Sequence, residues 1–290
     1  MTVTELYDAW ALTLDASRWK TARAHRPYIV GPLGATAFKH LTPAALLAWR
    51  DGLDRELSPG YRQNIRTTLS ACFSHHLRMG AIPGNPLAGL PRDKAVDNNR
   101  QGYFTPEALA GLLDHAARVQ PMLRDIAYVA ATCGGLRATE AVSLRRDQID
   151  HAARKLVVAQ KGGRKKRVIM PDRAYELVCQ RLRDSSSWWV FPSVTDPSRH
   201  CPYITMNSWW EKAVDAWGEL LLGEKPLFHM LRHGFVMEMM KTMPVSWIIT
   251  QTGHKNAKQV EQRYGALRGE AEEQARRMIN NSGLVAGLGS

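Results

Sequence analysis

The stretch His229-Met230-Leu231-Arg232-His233 places two histidines and an arginine within five residues, and it decides how the rest of the chain is interpreted. Thr252-Gly253-His254 follows it, and Tyr264 is the only tyrosine after these histidines. Far upstream, Gly135-Leu136-Arg137-Ala138-Thr139-Glu140 supplies a second arginine. Two arginines, two histidines and a tyrosine are the groups needed to hold a phosphodiester, stabilise charge on its oxygens and attack phosphorus without a metal.

The order and spacing of these motifs resemble the tyrosine recombinase family, which includes the phage integrases and their relatives. The resemblance covers nearly the whole chain, and its motifs are most specific from residue 104 to residue 265. It implies a mainly α-helical fold with a small antiparallel β-sheet or hairpin in the catalytic domain. It also implies two domains that encircle DNA as a C-clamp.

The resemblance assigns roles to single residues. The arginines match those that grip the nonbridging phosphate oxygens, and the tyrosine matches the nucleophile. The implied catalytic residues are Arg137, Lys161, His229, Arg232, His254 and Tyr264, with Glu140 and His233 as structural support. The chain departs from the family pattern in one respect. Tyr264 lies ten residues after His254, whereas the commonest spacing in the family is one residue shorter.

The two histidines of the first motif have other interpretations when that motif stands alone. His229 and His233 are four residues apart, so on a helix they would face one way and could bind a metal. No third ligand follows at a sensible spacing. A buried or capping histidine pair is the more ordinary alternative. We expect no metal and no cofactor.

Two short β-favouring runs, residues 155–160 and 167–170, flank a basic segment whose glycines predict a hairpin. By itself a basic hairpin tip indicates only solubility or nonspecific phosphate contacts. The resemblance implies that Lys161 is the general acid for the departing 5′ oxygen, with Lys165 and Lys166 as nearby alternatives. The DNA contacts expected from this hairpin are Arg164, Lys165, Lys166 and Arg167.

The chain turns polar and loses its periodicity between Pro91 and Gly102, which indicates a linker between two domains. Thr42-Pro43 and Thr105-Pro106 each predict a helix start, since threonine caps and proline suits the first helical position. The second of these helices is expected to continue to Cys133. The predicted limits are a helical core-DNA-binding domain at residues 1–95, a linker at 96–103, and a catalytic domain with a C-terminal tail at 104–290.

Ser58-Pro59 opens a helical run in the first domain that Gly80 closes. Its apolar side carries Tyr61, Ile65, Leu69, Cys72, Phe73 and Leu77. Arg62 and Arg66 fall toward the other side. They would form an ordinary solvated face or, as the resemblance to the family's core-binding domain favours, contact DNA phosphates.

A net charge of +12 and a pI near 9.8 indicate a polyanionic partner, which is either nucleic acid or an acidic membrane surface. No apolar run approaches the roughly 18 residues of a spanning helix. The first ten residues lack a signal segment, so we expect a protein of the bacterial cytoplasm. The four cysteines are scattered and predict neither a zinc site nor disulfides.

The resemblance implies a site-specific recombinase that cleaves and rejoins DNA through a 3′-phosphotyrosyl intermediate, without ATP or metal. Its implied partners are double-stranded DNA at core recombination sites, further copies of itself in a tetramer on two sites, and accessory DNA-bending proteins. Three alternatives remain open at this point. They are a type IB topoisomerase, a catalytically silent DNA-binding regulator, and a basic structural or RNA-associated protein.

Overall fold

The computed structural model describes residues 1–53, 57–91, 102–159 and 163–255, together with 257 and 260. The chain divides into two compact units, residues 1–98 and 99–290. The predicted linker lies mostly outside the described residues. None of the helices in the described part combines the length and apolar character needed to cross a bilayer.

The described residues of the first unit form four α-helices: α1 (Val3–Ala11), α2 (Ala16–Leu33), α3 (Pro43–Asp51) and α4 (Pro59–Arg78). Each begins after a side chain that accepts a backbone N–H of the first turn, as Thr42 does for α3 and Ser58 for α4. The helix starts predicted at these two residues are confirmed. The core of the unit lies between α1, α2 and α4.

The basic side of α4 differs from the prediction. Arg66 is 7% exposed, and its Nη2 donates to the carbonyl oxygens of Leu90 at 2.9 Å and Leu87 at 3.4 Å. The guanidinium therefore ties the chain after α4 to this helix, and the prediction that Arg66 contacts DNA is wrong. Arg62, one turn earlier, is half-buried. On the apolar side Leu77 is also an exception, because it is 41% exposed in the last turn.

The second unit, where the structure describes it, is mainly helical with a small antiparallel sheet, as predicted. Its helices are α5 (Pro106–Val119), α6 (Pro121–Thr132), α7 (Ala138–Val142), α8 (Asp172–Arg183), α9 (Tyr203–Trp217), α10 (Met230–Met240) and α11 (Val245–Thr252). Its strands are β1 (Ile149–Asp150), β2 (Lys155–Ala159) and β3 (Lys165–Ile169), in the order β1-β2-β3. The helix start predicted at Thr105 is confirmed, since its side chain accepts from the backbone of Ala108.

The predicted helix from Pro106 to Cys133 is two helices. Gln120 adopts φ −162° and ψ 117°, an extended conformation that ends α5. Pro121 is the cause, because the ring of a proline disfavours a helical conformation in the residue before it. The break lets α6 start a new course beside α5, against which it packs.

The hairpin forms, but its second strand starts two residues earlier than predicted. Residues of β3 alternate between the two faces, so Lys165 and Arg167 are exposed while Lys166 and Val168 are buried. Lys166, which was predicted to contact DNA and named as an alternative to Lys161, is therefore not on the exposed face of the strand. Lys161 lies outside the described residues.

Two glycines hold the chain between α6 and α7 against α10 and α11. Gly134 and Gly135 have φ values of +66° and +59°, which favour glycine. A Cβ atom on Gly134 would lie 2.6 Å from the carbonyl oxygen of Gln251. A Cβ atom on Gly135 would lie 3.0 Å from the Cα atom of Arg232. No side chain fits at either position, so these backbones can approach closely.

We predict that Gly134→Ala destabilises the second unit much more than Gly218→Ala. Both residues have positive φ, so both substitutions introduce about 1 to 2 kcal/mol of backbone strain. Only at Gly134 does the new Cβ also meet another backbone, since a Cβ on Gly218 meets nothing within 4 Å. Urea denaturation should give a loss in the free energy of unfolding that is at least about 2 kcal/mol larger for Gly134→Ala. Equal losses would contradict the close approach.

Candidate active site

Arg137 stands at the start of α7, where Glu140 holds it in place. Its backbone N–H donates to Glu140 Oε2 at 3.1 Å, and its Nη1 donates to Glu140 Oε1 at 2.8 Å. The sequence predicts this proximity, because residues three apart on a helix are neighbours. The side chain of Arg137 remains 44% exposed, so the guanidinium is both oriented and accessible.

Glu140 is a buried carboxylate, 9% exposed, that joins two cations. Besides Arg137 it contacts Lys166, whose Nζ lies 3.1 Å from Oε2. Burial raises the pKa of Glu140, but the Lys166 ammonium and the hydrogen bonds from Arg137 outweigh burial and hold the pKa below its usual value. Glu140 is therefore ionised at neutral pH.

Lys166 connects β3 to two other segments. Its side chain is 3% exposed, and Nζ donates to the carbonyl oxygen of Thr252 at 3.2 Å in addition to its ion pair with Glu140. Thr252 is the last residue of α11, so the ammonium neutralises the negative end of that helix. Burial lowers the pKa of Lys166 to about 8, against the opposing effect of Glu140 and with a further lowering by Arg232 and Arg137.

Arg232 lies in the first turn of α10 and is 1% exposed. Its Nη1 donates to the carbonyl oxygen of Gly135 at 2.9 Å. This bond joins the second arginine to the turn that precedes the first one. The two arginines are thereby fixed to neighbouring parts of one backbone segment.

The two histidines of α10 have different surroundings. Their rings contact edge to face, with centroids 5.0 Å apart and an interplanar angle of 79°. His229, at the N-terminal end of the helix, is exposed, whereas His233 is 4% exposed. His229 can meet a ligand, and His233 packs beneath it.

His254 follows the left-handed residue Gly253, which ends α11 at φ +73°. Its Nδ1 lies 2.7 Å from Thr252 Oγ1, and that hydroxyl donates to the carbonyl oxygen of Ile248 at 2.7 Å. Because the hydroxyl proton points to Ile248, Nδ1 must be the donor to Oγ1. The bonds thus fix both the direction of the imidazole and the position of one of its protons.

The predicted site residues that the structure describes belong to one group of connected segments. Arg137 and Glu140 connect through Lys166 to the turn that carries His254, and Arg232 connects to them through Gly135. His229 lies three residues before Arg232, at the start of α10. Lys161 and Tyr264 lie outside the described residues. Arg164, Lys165 and Arg167 are exposed on the hairpin.

Sequence reasoning missed the residues that dock β3 onto α11. Gln251 Oε1 accepts the backbone N–H of Ile169 at 2.9 Å, beside the bond from Lys166 to Thr252. The strand alternation would have pointed to the burial of Lys166, had β3 been started at Lys165. Nothing in the sequence marks Gln251, because its role depends on where α11 packs.

The site has the charge to hold a multiply charged anion. Arg137 and Lys166 both contact Glu140, and Arg232 is a third cation that lies close enough to Lys166 to lower its pKa. Guanidinium groups bind the oxygens of phosphates in a planar, often bidentate geometry. Among the described residues no group of three or more histidines, cysteines or acids is arranged to bind a metal ion. The two arginines and the exposed His229 supply groups that suit phosphate chemistry.

Several solved structures share this fold. An integrase of the Tn1549 transposon, in complex with circular intermediate DNA, superposes with a TM-score of 0.77 at 17% identity, over 91% of this chain and 95% of that chain. A lambda integrase dimer bound to a COC′ core site gives a TM-score of 0.77 at 19% identity, over 91% of this chain and 95% of that chain. A lambda integrase tetramer bound to a Holliday junction gives a TM-score of 0.74 at 19% identity, over 89% of this chain and 78% of that chain.

These identities establish a common fold and no more. Among curated proteins, none matches the chain. The sequence itself is more informative, since residues 103–270 match the model of the phage integrase family. This match spans more than half of the chain and includes every motif of the candidate site. The chain belongs to the phage integrase family, the tyrosine recombinases.

Proposed function

We propose that the protein is a site-specific DNA recombinase, which cleaves and rejoins duplex DNA through a 3′-phosphotyrosyl intermediate on Tyr264. The observation that carries the proposal is the joining of Arg137 and Arg232 through Gly135, next to the turn of His254. Family membership supports the same reaction. The reaction proceeds without ATP and without a metal.

The arginines hold the scissile phosphate. Arg137 is directed by Glu140 and Arg232 by the Gly135 carbonyl, so the two guanidiniums keep fixed directions before DNA arrives. Fixed donors stabilise the charge that builds up on the nonbridging oxygens in the pentacoordinate transition state. They also favour the phenolate form of the tyrosine, whose unperturbed pKa is near 10.

The phosphodiester is broken by exchange of one P–O bond for another. Tyr264 Oη attacks phosphorus, and the bond from phosphorus to the 5′ oxygen breaks. His229 orients or accepts the phenol proton, and Lys161 gives a proton to the departing oxygen. The phosphotyrosyl bond keeps the energy of the broken bond, so the 5′ hydroxyl of a second duplex reseals the strand in the reverse reaction.

His254 donates a hydrogen bond to another oxygen of the phosphate. Since Nδ1 already donates to Thr252, the donor to the phosphate is Nε2. An imidazole that donates from both nitrogens is protonated. His254 thus acts as a cation in the complex with DNA.

DNA is held by surfaces on both units. The outward side of α2 carries Lys20 and Arg23, while its buried side carries Ala22, His25, Ile29 and Leu33. Two further arginines of this helix are paired with acids, Arg18 with Asp15 and Arg26 with Asp8 of α1. Arg23 lies over the ring of Trp19 at 5.3 Å, which keeps this cation close to the helix surface. We assign the main phosphate contacts of the first unit to this side of α2. Arg62 is proposed as a further phosphate contact, and Arg66 is not. In the second unit the exposed contacts are Arg164, Lys165 and Arg167.

The active assembly is a tetramer on two DNA sites, with accessory DNA-bending proteins as further partners. The lambda integrase tetramer on a Holliday junction supports this arrangement, because its fold is shared. We also propose that the two domains encircle DNA as a C-clamp and that the protein acts in the bacterial cytoplasm. One observation favours a second candidate, a catalytically silent DNA-binding regulator. It is the additional residue between His254 and Tyr264 relative to the commonest family spacing.

A covalent trap separates the two candidates. Wild-type protein and Tyr264→Phe are mixed with DNA that flanks the gene and with fragmented host DNA, in a metal chelator, and are then denatured in detergent. We expect protein on a 3′ end for the wild type alone. An adduct with Tyr264→Phe would identify another nucleophile. Specific binding without any adduct would favour the regulator, and sequence-independent plasmid relaxation would indicate a type IB topoisomerase.

Replacing Arg137 or Arg232 by lysine should impair cleavage far more than binding. A point charge cannot reproduce the planar fork, so the cleavage rate should fall by about 100-fold or more. DNA affinity should change by only about threefold, because many other phosphate contacts remain. Arg145→Lys, a control on an exposed arginine of the same unit, should leave both unchanged. An equal loss of binding and cleavage would mean that the two arginines are structural.

The outward side of α2 can be tested through the salt dependence of DNA binding. Each phosphate contact contributes about 0.9 to the slope of log affinity against log salt. Lys20→Gln combined with Arg23→Gln should therefore lower the slope by about 1.8. Lys212→Gln on α9 is the control and should not change it. A slope unaltered by the double substitution would remove α2 from the DNA-binding surface.

A further inference from the structure

Lys166 takes no part in the chemistry proposed above, although its side chain is buried and fully surrounded by the site. Its ammonium contacts Glu140 on one side and the end of α11 on the other. Burying a charged amine is costly unless its partners are well placed. A residue with this cost is expected to have a specific role.

We propose that Lys166 is a positioning residue, which fixes the turn of Arg137 relative to the turn of His254 so that both side chains reach the same phosphate. This inference rests on the proposed function and deepens it. The Lys166 ammonium makes two contacts, one toward each turn, and together we call them the Lys166 tie.

The first contact leads to Arg137. Lys166 holds Glu140 Oε2 at 3.1 Å, and the same carboxylate receives both the backbone N–H and the Nη1 of Arg137. Without the ammonium, Glu140 would be a buried carboxylate held by Arg137 but no longer by Lys166. The carboxylate would then turn toward solvent or take a proton, and in either case the guanidinium would lose its fixed direction.

The second contact leads to His254. Lys166 donates to the Thr252 carbonyl at 3.2 Å, and the hydroxyl of the same threonine accepts the bond from His254 Nδ1. A second bond, from the backbone N–H of Ile169 to Gln251 Oε1, also joins β3 to the end of α11. A shift of β3 would therefore move the carbonyl and the imidazole together.

A lysine suits this position because its ammonium has three donors that can point in different directions and no acceptor. Two of these directions already lead to Glu140 and Thr252, and only 3% of the side chain is exposed. The groups that face Nζ are Glu140 from α7, Arg137 at its start, Arg232 from α10 and the Thr252 carbonyl from α11. These surroundings favour a fixed tie over a donor that delivers its proton to a leaving group.

The test compares Lys166→Met with Lys155→Met, a control on the neighbouring strand β2. Each variant is given two DNA substrates, one ordinary and one with sulfur in place of the 5′ bridging oxygen. A thiolate is a good leaving group that needs no protonation, so the sulfur substrate restores a lost general acid but not a displaced phosphate clamp. Lys161→Met serves as the reference for a lost general acid.

We expect Lys166→Met to cleave both substrates at least about 100-fold more slowly than the wild type, with DNA affinity within about threefold. Lys155→Met should match the wild type, and Lys161→Met should recover on the sulfur substrate. Recovery of Lys166→Met on that substrate would make Lys166 the proton donor and overturn the proposal. Wild-type rates for Lys166→Met would overturn it as well. If the wild type cleaves neither substrate, the proposed function itself fails.

A second variant covers the case in which Lys166→Met does not fold. Lys166→Met combined with Glu140→Gln removes both charges and leaves no buried unpaired ion, a change that proteins often tolerate. We expect this protein to fold with a Tm near that of the wild type and still to lose about 100-fold in cleavage of both substrates. Wild-type cleavage by the double variant would show that the tie is dispensable.

Discussion

Burying Lys166 beside Glu140 removes the hydration of both groups, and their contact at 3.1 Å offsets that loss only while both partners are present. Removing one partner of such a pair typically costs about 3 to 5 kcal/mol, whereas replacing both by apolar groups can be neutral. The pair is therefore a poor source of stability and a good source of specificity. Its contacts join β3 to α7 and to the end of α11, and the placement of Arg137 and His254 depends on these segments.

The backbone around this pair is packed as tightly as the side chains. Gly134 and Gly135 let their segment lie directly against Gln251 and Arg232, where any Cβ atom would collide. The carbonyl of Gly135 then becomes the acceptor that directs Arg232. A site assembled from four distant parts of the chain is rigid here because each part contacts another through its backbone. Rigid placement of donors before a substrate binds is what makes electrostatic stabilisation effective.

The sequence predicted those features that depend on local chemistry. Threonine caps, the hairpin, and the proximity of Arg137 to Glu140 follow from neighbouring residues and were recovered. The failures share one cause, which is that burial depends on distant contacts. Arg66 and Lys166 are basic residues that a sequence places on a surface, but each finds buried acceptors from another segment. The family motifs named the candidate residues, and packing alone decided which cations turn inward.

The position of β3 has a consequence for the behaviour of the protein in solution. In the part of the chain that the structure describes, the order β1-β2-β3 makes this strand an edge, and an open edge can pair with a strand of another molecule and start aggregation. Here the side chain of Gln251 occupies the backbone N–H of Ile169, and α11 packs against the strand. Lys165 and Arg167 project from it as exposed charges, which repel a second copy. The basic side chains that suit a polyanion therefore also disfavour pairing of this strand with a second copy.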